Sequence, residues 1–201
     1  MEKVCISKGN SKMGAIPSVS LPAGTTCNPD APCYKACYAR RLAARRRQAG
    51  ESYERNLRVY QTSKESFKLQ IKAAAITQRF FRFHVSGDIV DDDYFQMMVE
   101  IAREIPTCRF MAFTKQYDIV NRWIEVNGDL PENLQIIFSV WRGFDCPNIF
   151  ALPEAHVAYR NGTHTARKDA VHCKGNCTEC CLAGEGCWNL HKGEQVEIDE
   201  H

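Results

Sequence analysis

From Phe80 onward the chain repeats one unit, an apolar run rich in aromatic and β-branched residues, a polar turn, and a helix-forming segment. Phe80 to Val85 (FFRFHV) reads as a strand, Ser86-Gly87-Asp88 as a turn, and about Asp92 to Glu104 as a helix. Arg109 to Thr114 (RFMAFT) is the next strand and Gln116 to Val126 the next helix. Leu134 to Val140 (LQIIFSV) is a further strand, and Ala155 to Tyr159 a last one. Upstream, Ala15 to Leu21 (AIPSVSL) reads as a short strand. A helix from Tyr34 to about Gln48 follows, Gly50 breaks it, and a second helix runs from about Ser52 to Gln78. Strand and helix alternating at this pitch imply βαβ units and a parallel sheet. Such sheets bind ligands at the carboxyl ends of their strands. That edge is expected to carry the Cys27 loop, Ser86-Gly87-Asp88, Thr114-Lys115 and Ser139 to Arg142.

The chain has 201 residues and eleven cysteines, most of them in two groups. Cys27, Cys33 and Cys37 are spaced C-x5-C-x3-C, and Cys173, Cys177, Cys180, Cys181 and Cys187 follow near the other end. Residues 1 to 10 carry charge without an apolar run, so no secretion signal is expected. No stretch approaches the roughly 18 apolar residues of a membrane span. The protein is therefore expected in the cytoplasm, where clustered cysteines bind metal more often than they form disulfides. A formal charge of +2 does not by itself mark a nucleic-acid binder.

Three thiolates on one short loop leave a coordination position open to a reactant, whereas four close the site. The first group could be three buried thiols or a zinc site. No histidine lies near it in sequence, and an iron–sulfur cluster with an open iron suits it better. In the second group Cys173, Cys177, Cys180 and Cys187 are the expected ligands, with Cys181 spare and His172 an alternative donor. Zinc held by four thiolates is the competing assignment there. Cys5, Cys108 and Cys146 read as ordinary thiols. Residues 1–160 are expected to form the α/β domain. Residues 161–201, polar and rich in Cys, Gly and His, are expected to form an appendage organised by metal.

The run TTCNPDAPCYKACYA resembles the cysteine loop of radical S-adenosylmethionine (SAM) proteins, in which three thiolates hold a 4Fe-4S cluster. It is similar to the phage-type proteins related to spore photoproduct lyase, whose loop also ends in Cys-Tyr-Ala. NSKMGAIPSVSLPAGTTC resembles the opening strand of a phage gene-product family within that group. HVSGDIVDD, FMAFTKQYDIVNRWIE and LPENLQIIFSV resemble its strand-turn units, and HCKGNCTECCLAGEGCW its C-terminal cysteine segment. Two features differ. The commonest loop of that superfamily is C-x3-C-x2-C, and its Gly-Gly-Glu turn appears here as Ser86-Gly87-Asp88.

The expected fold is a reduced, partly open (β/α) barrel of parallel strands with the Cys27 cluster at its C-terminal edge. The resemblance implies two 4Fe-4S clusters, the second an auxiliary one, together with SAM and a reductant such as ferredoxin or flavodoxin. It implies reductive cleavage of SAM to methionine and a 5′-deoxyadenosyl radical, which takes hydrogen from an unidentified substrate. Ser86, Gly87 and Asp88 would receive the amino group of SAM, Lys115 its carboxylate, and Ser139 its ribose. Each also has a plainer role: Asp88 as a helix cap, Lys115 as a solvated lysine, Ser139 as a strand end. His84 reads as a satisfied core histidine, and no residue is assigned to catalysis. The run Arg40, Arg41, Arg45, Arg46 and Arg47 reads as a solvated face, with a phosphate-contacting patch as the alternative. A non-catalytic iron–sulfur or zinc protein, a phage accessory factor touching nucleic acid, is the reading from a different class.

Overall fold

The computed structural model describes residues 2–200. Strands β1 (Ile6–Ser7), β2 (Ser18–Val19), β3 (Phe80–Phe83), β4 (Arg109–Thr114), β5 (Leu134–Ser139), β6 (Glu154–Ala158), β7 (Val171–His172) and β8 (Gln195–Asp199) form one sheet. Their order is β1-β2-β3-β4-β5-β6-β8-β7, and every neighbouring pair is parallel except β1 with β2. The parallel α/β sheet is as expected. The expected barrel was partly open, and the sheet is indeed not closed: β1 and β7 lie at its opposite ends and do not pair. Barrel closure needs strand after strand tilted and followed by a covering helix. Here no helix lies between β5 and β6, and both end strands are two residues long.

The helices are α1 (Tyr38–Arg45), α2 (Arg47–Thr62), α3 (Lys64–Ala75), α4 (Asp92–Glu104), α5 (Tyr117–Asn127) and α6 (Cys177–Ala183). Gly50 does not break a helix. It lies inside α2, where a Cβ would sit 3.2 Å from the carbonyl oxygen of Ala43, so its missing side chain lets α1 and α2 approach. The break comes at Arg46, whose φ of −116° and ψ of 81° are not helical. The expected long second helix divides at Ser63, which is extended and whose hydroxyl accepts from Ser66 N–H to cap α3. Asp91 caps α4 in the same way, accepting from Tyr94 N–H at 2.8 Å. Asp88 is therefore not the cap of that helix.

The sheet is buried on both sides, which is why its strands read as near-continuous apolar runs. Phe81 and Phe83 of β3, Phe110 and Ala112 of β4, and Ile136 and Phe138 of β5 face the helices in the main core. Alternation turns Met111, Ile137, Ala155 and Val196 to the opposite face. There they pack with Met13, Ile16, Cys181, Trp188 and Leu190 in a second core. Each large side chain so buried contributes about 1.5–3 kcal/mol. Residues 161–201 thus supply β7, β8 and part of an apolar core as well as cysteines. The segment is pinned where Arg109 donates to Trp188 O at 2.6 Å and Asn189 Oδ1 at 2.7 Å. Thr178 Oγ1 donates to Met13 O at 2.9 Å.

Asp91 Oδ1 also accepts from the Tyr60 hydroxyl at 2.5 Å, and Tyr60 is 1% exposed. Asp91→Ala should remove a cap and strand that hydroxyl, costing about 2–4 kcal/mol. Ser63→Ala should cost only about 1 kcal/mol. Urea denaturation of the two variants tests the ranking, and equal losses would contradict the role given to Tyr60.

Candidate functional site

On the face of the sheet away from α2–α5 lies a cavity of about 500 Å³. That is within the range of sites for cofactor-sized ligands. Its wall includes Cys27, Cys33 and Cys37 together with Cys173, Cys177 and Cys187. Two cysteine groups separated by most of the chain therefore face one space. Ser86, Gly87, Asp88, Lys115 and Ser139 line the same cavity. They belong to the carboxyl-terminal ends of β3, β4 and β5, where a parallel sheet presents its ligand-binding edge.

The Cys27 loop is held against those strand ends. Thr26 accepts at Oγ1 from Asp88 N–H at 3.0 Å, and its carbonyl accepts from Gln116 Nε2 at 3.3 Å. The Asp88 carboxylate accepts from Thr114 Oγ1 at 2.6 Å, from Lys115 N–H at 2.9 Å and from Ile89 N–H at 2.8 Å. Burial raises the Asp88 pKa above the ordinary carboxylate value, and those donors oppose the rise. Gly87 has a φ of +80°, and a Cβ there would stand 2.7 Å from both Leu21 O and Thr26 Oγ1. Only glycine lets the two loops close on each other. Cys33 lies in the short 3-10 helix Pro32–Tyr34, and Cys37 is the residue before α1. Tyr38 anchors the start of α1 by donating to Val85 O at 3.1 Å. Burial pushes the Cys27 thiol up to about 11, and Asp88, Cys37 and Cys33 nearby add to the rise. Holding such thiols together as thiolates requires a cation among them.

The second group surrounds a smaller pocket of about 30 Å³ lined by Cys173, Cys177, Cys180 and Cys187, with His172 at its edge. Cys177 opens α6, and its N–H donates to Lys12 O at 2.9 Å. Cys180 lies one turn further along the same helix, and Cys187 in the 3-10 helix Gly186–Asn189. Cys181, beside Cys180 in sequence, is 8% exposed and packs in the second core. Burial pushes Cys187 up to about 12 and raises Cys177 and Cys180, with Cys173 nearby adding to each rise. All eleven cysteines are free thiols. Among the described residues, no group of three or more His, Cys, Asp or Glu side chains is arranged to hold a metal ion. No helix among them is long and apolar enough to cross a membrane.

Several cavity residues were not singled out from the sequence. Arg82 lies over the Phe113 ring at 4.8 Å and lowers the pKa values of Cys177 and Cys187 by its charge. Trp141 lies under the Lys115 ammonium at 5.6 Å. A lone arginine between phenylalanines in FFRFHV was the available signal for Arg82, since alternation puts it opposite the core-facing Phe81 and Phe83. His84 is buried as expected, with Nε2 3.0 Å from the Tyr94 hydroxyl. It is not fully satisfied, because Nδ1 has no partner among the described residues, and its φ of 58° is unusual for a residue with a side chain. Burial lowers its pKa to about 3, so the ring is neutral. All five arginines of that run are exposed, and Arg40 and Arg46 also reach the cavity wall.

A family model described as "Gene product 88" matches residues 4–145. The match takes in Cys27, Cys33 and Cys37 and the strands through β5, and it ends before the C-terminal cysteines. No curated protein and no solved structure matches the chain. The resemblance to the radical SAM superfamily is corrected by this result: the matching family is a phage gene-product family, and no radical SAM domain is detected. A short cysteine loop and a few strand-turn runs carried that resemblance, and such runs on a common fold do not fix a family by themselves.

Gly87→Ala should force the Leu21 and Thr26 loop away from β3. The positive φ and the close contacts together should cost about 2–4 kcal/mol. Thermal denaturation would measure the loss, and thiol-labelling of Cys27 should quicken in the same variant. Unchanged stability and labelling would show that the loop is not held there.

Proposed function

We infer that this chain, which belongs to the gene product 88 family, is a cytoplasmic redox enzyme holding two 4Fe-4S clusters, one of them beside a SAM site. One observation carries the inference: both cysteine groups and the polar strand ends line a single cavity of about 500 Å³. The donors fit the clusters. They are thiols only, none is tied up in a disulfide, and they come as a group of three and a group of four. Cys27, Cys33 and Cys37 would hold one cluster with a position open to the cavity. Cys173, Cys177, Cys180 and Cys187 would hold the other.

A cluster held there by Cys27, Cys33 and Cys37 would supply one-electron cleavage of the SAM sulfonium, with the electron coming from a carrier such as a ferredoxin or flavodoxin. The protein's own part is to bind, orient and shield. Gly87 brings backbone close to the ligand. Asp88 Oδ2, which among the described residues accepts only from Lys115 N–H, keeps capacity for an ammonium group. Lys115 Nζ is available to a carboxylate, and Ser139 to a ribose hydroxyl. Met111, Phe113 and Trp141 supply apolar wall that would exclude water from a ligand bound there. The substrate is unassigned.

A second reading comes from the closed four-cysteine pocket, whose donor set is also that of a structural zinc site. With zinc there and no cluster at Cys27, the protein would be a binding module. The exposed Arg41 and Arg45 would then contact phosphates of a nucleic acid.

Anaerobically reconstituted protein should contain about eight irons per chain and bleach on reduction. Replacing Cys27, Cys33 and Cys37 by Ala should leave about four irons and abolish 5′-deoxyadenosine production. SAM should perturb the paramagnetic resonance of the Cys27 cluster alone. Zinc as the only bound metal would remove the proposal.

Within the second group, Cys180→Ala should lower iron content, whereas Cys181→Ala should leave it unchanged and weaken only the core. Metal analysis of the two variants distinguishes them, and the reverse result would exchange their roles.

A further inference from the structure

Three alternate residues that line the cavity, Arg82, His84 and Ser86, each carry a buried polar atom without a partner among the described residues. The atoms are Arg82 Nε, His84 Nδ1 and Ser86 Oγ. His84 and Ser86 are 3% and 4% exposed. Buried polar groups are normally paired, and each one left unpaired costs stability. All three residues line the cavity, so a ligand that enters it and draws these atoms toward it by small side-chain shifts is the partner at hand.

Hydrogen-bond accounting shows what that partner must offer. Tyr94 is fully buried, and the only partner of its hydroxyl among the described residues is His84 Nε2. If Nε2 carried the ring proton, the Tyr94 hydrogen would have no acceptor. The satisfied arrangement has Tyr94 donating to Nε2, which puts the proton of the neutral ring on Nδ1. Arg82 Nε–H and His84 Nδ1–H are then both donors, and Ser86 can donate as well. The cation of Arg82 is held in place by the Phe113 ring and by a contact from its Nη1 to Met13 Sδ at 3.8 Å. The left-handed backbone of His84 marks a conformation retained at a cost. The cavity wall also carries Lys12, Arg40, Arg46 and Lys115. Against them stand Asp88, already accepting three hydrogen bonds, and Asp199 and Glu200.

We propose that Arg82, His84 and Ser86 form a binding row for an oxyanion, the carboxylate or phosphate group of a small ligand entering the cavity. The row needs no bound iron, so it stands or falls separately from the redox function. It also assigns His84 as a positioning donor and gives Arg82 its role in ligand selection.

The test is nitrogen-15 NMR of the full chain labelled at histidine, titrated with inorganic phosphate and separately with acetate. The His84 signal is identified by its loss in His84→Gln. It should show the proton on Nδ1 and shift saturably with at least one anion. Tighter phosphate binding would mark a phosphate ester as the ligand group, and tighter acetate binding a carboxylate. Arg82→Gln should weaken binding by about tenfold or more, and Arg82→Lys by less, since the charge remains but the fork is lost. Ser86→Ala should weaken binding by about threefold or more without lowering the melting temperature, because it removes a hydroxyl that no protein group satisfies. Should Arg82→Gln fail to fold, Ser86→Ala and Arg82→Lys still decide the matter. A proton on Nε2, no saturable shift with either anion, or unchanged affinity in the folded variants would overturn the proposal.

Discussion

Asp88 joins three parts of the chain, the Cys27 loop, the turn after β3 and the end of β4. It accepts from the hydroxyl of Thr114 and the amide of Lys115 at the end of β4, and from the amide of Ile89 in its own loop. Its amide donates to Thr26, the residue before Cys27. With Gly87 packed against Leu21 and Thr26, this small buried network sets where the first cysteine loop lies relative to the strand ends. Desolvation works against the charge and the surrounding donors work for it, so the network is stable only when every donor is in place. A ligand that used Asp88 would be reading a group already committed to holding the site together.

The second constraint is the two-sided burial of the sheet. One face is covered by helices that the alternating sequence supplies. The other is covered by the N-terminal turn, the second core and the cysteine-bearing C-terminal segment. Because that segment returns to add β8 beside β6, Cys173, Cys177 and Cys187 end up across one cavity from Cys27, Cys33 and Cys37. An open sheet makes this possible. A closed barrel would have turned the same inward positions into packed core.

The same opening explains why polar atoms remain unpaired along β3 and the turn that follows it. Arg82, His84 and Ser86 alternate with residues whose neighbours in the chain are mostly apolar, and the helices pack against only one side of the sheet. The stability lost by leaving these donors without protein partners is tolerable in a sheet whose main core is fully packed, and binding sites are where such losses gather.

The strands β3, β4 and β5 and the helix α4 were readable in the sequence, because apolar runs and a capped helix are local patterns. So was the grouping of the cysteines, and so was the parallel pairing, since alternating strand and helix leave little other choice. Gly50 was misleading, as a glycine that breaks a helix and one that admits a neighbouring helix look alike until the neighbour is present. The two-residue strands β1 and β7 carry no periodic signal, and β8 lies beyond a stretch dominated by cysteine and glycine. Whether the sheet closes depends on how its edges meet, which no local run records. The unpaired nitrogen of His84 depends on a single contact with Tyr94, ten residues away in sequence. By itself, then, the sequence determined the class of the fold and the two groupings of thiols, because both follow from neighbours along the chain. Only the tertiary structure decided that the sheet is open, that the two cysteine groups share a cavity, and which buried polar atoms are left without a partner among the described residues, because those depend on contacts between residues far apart in sequence.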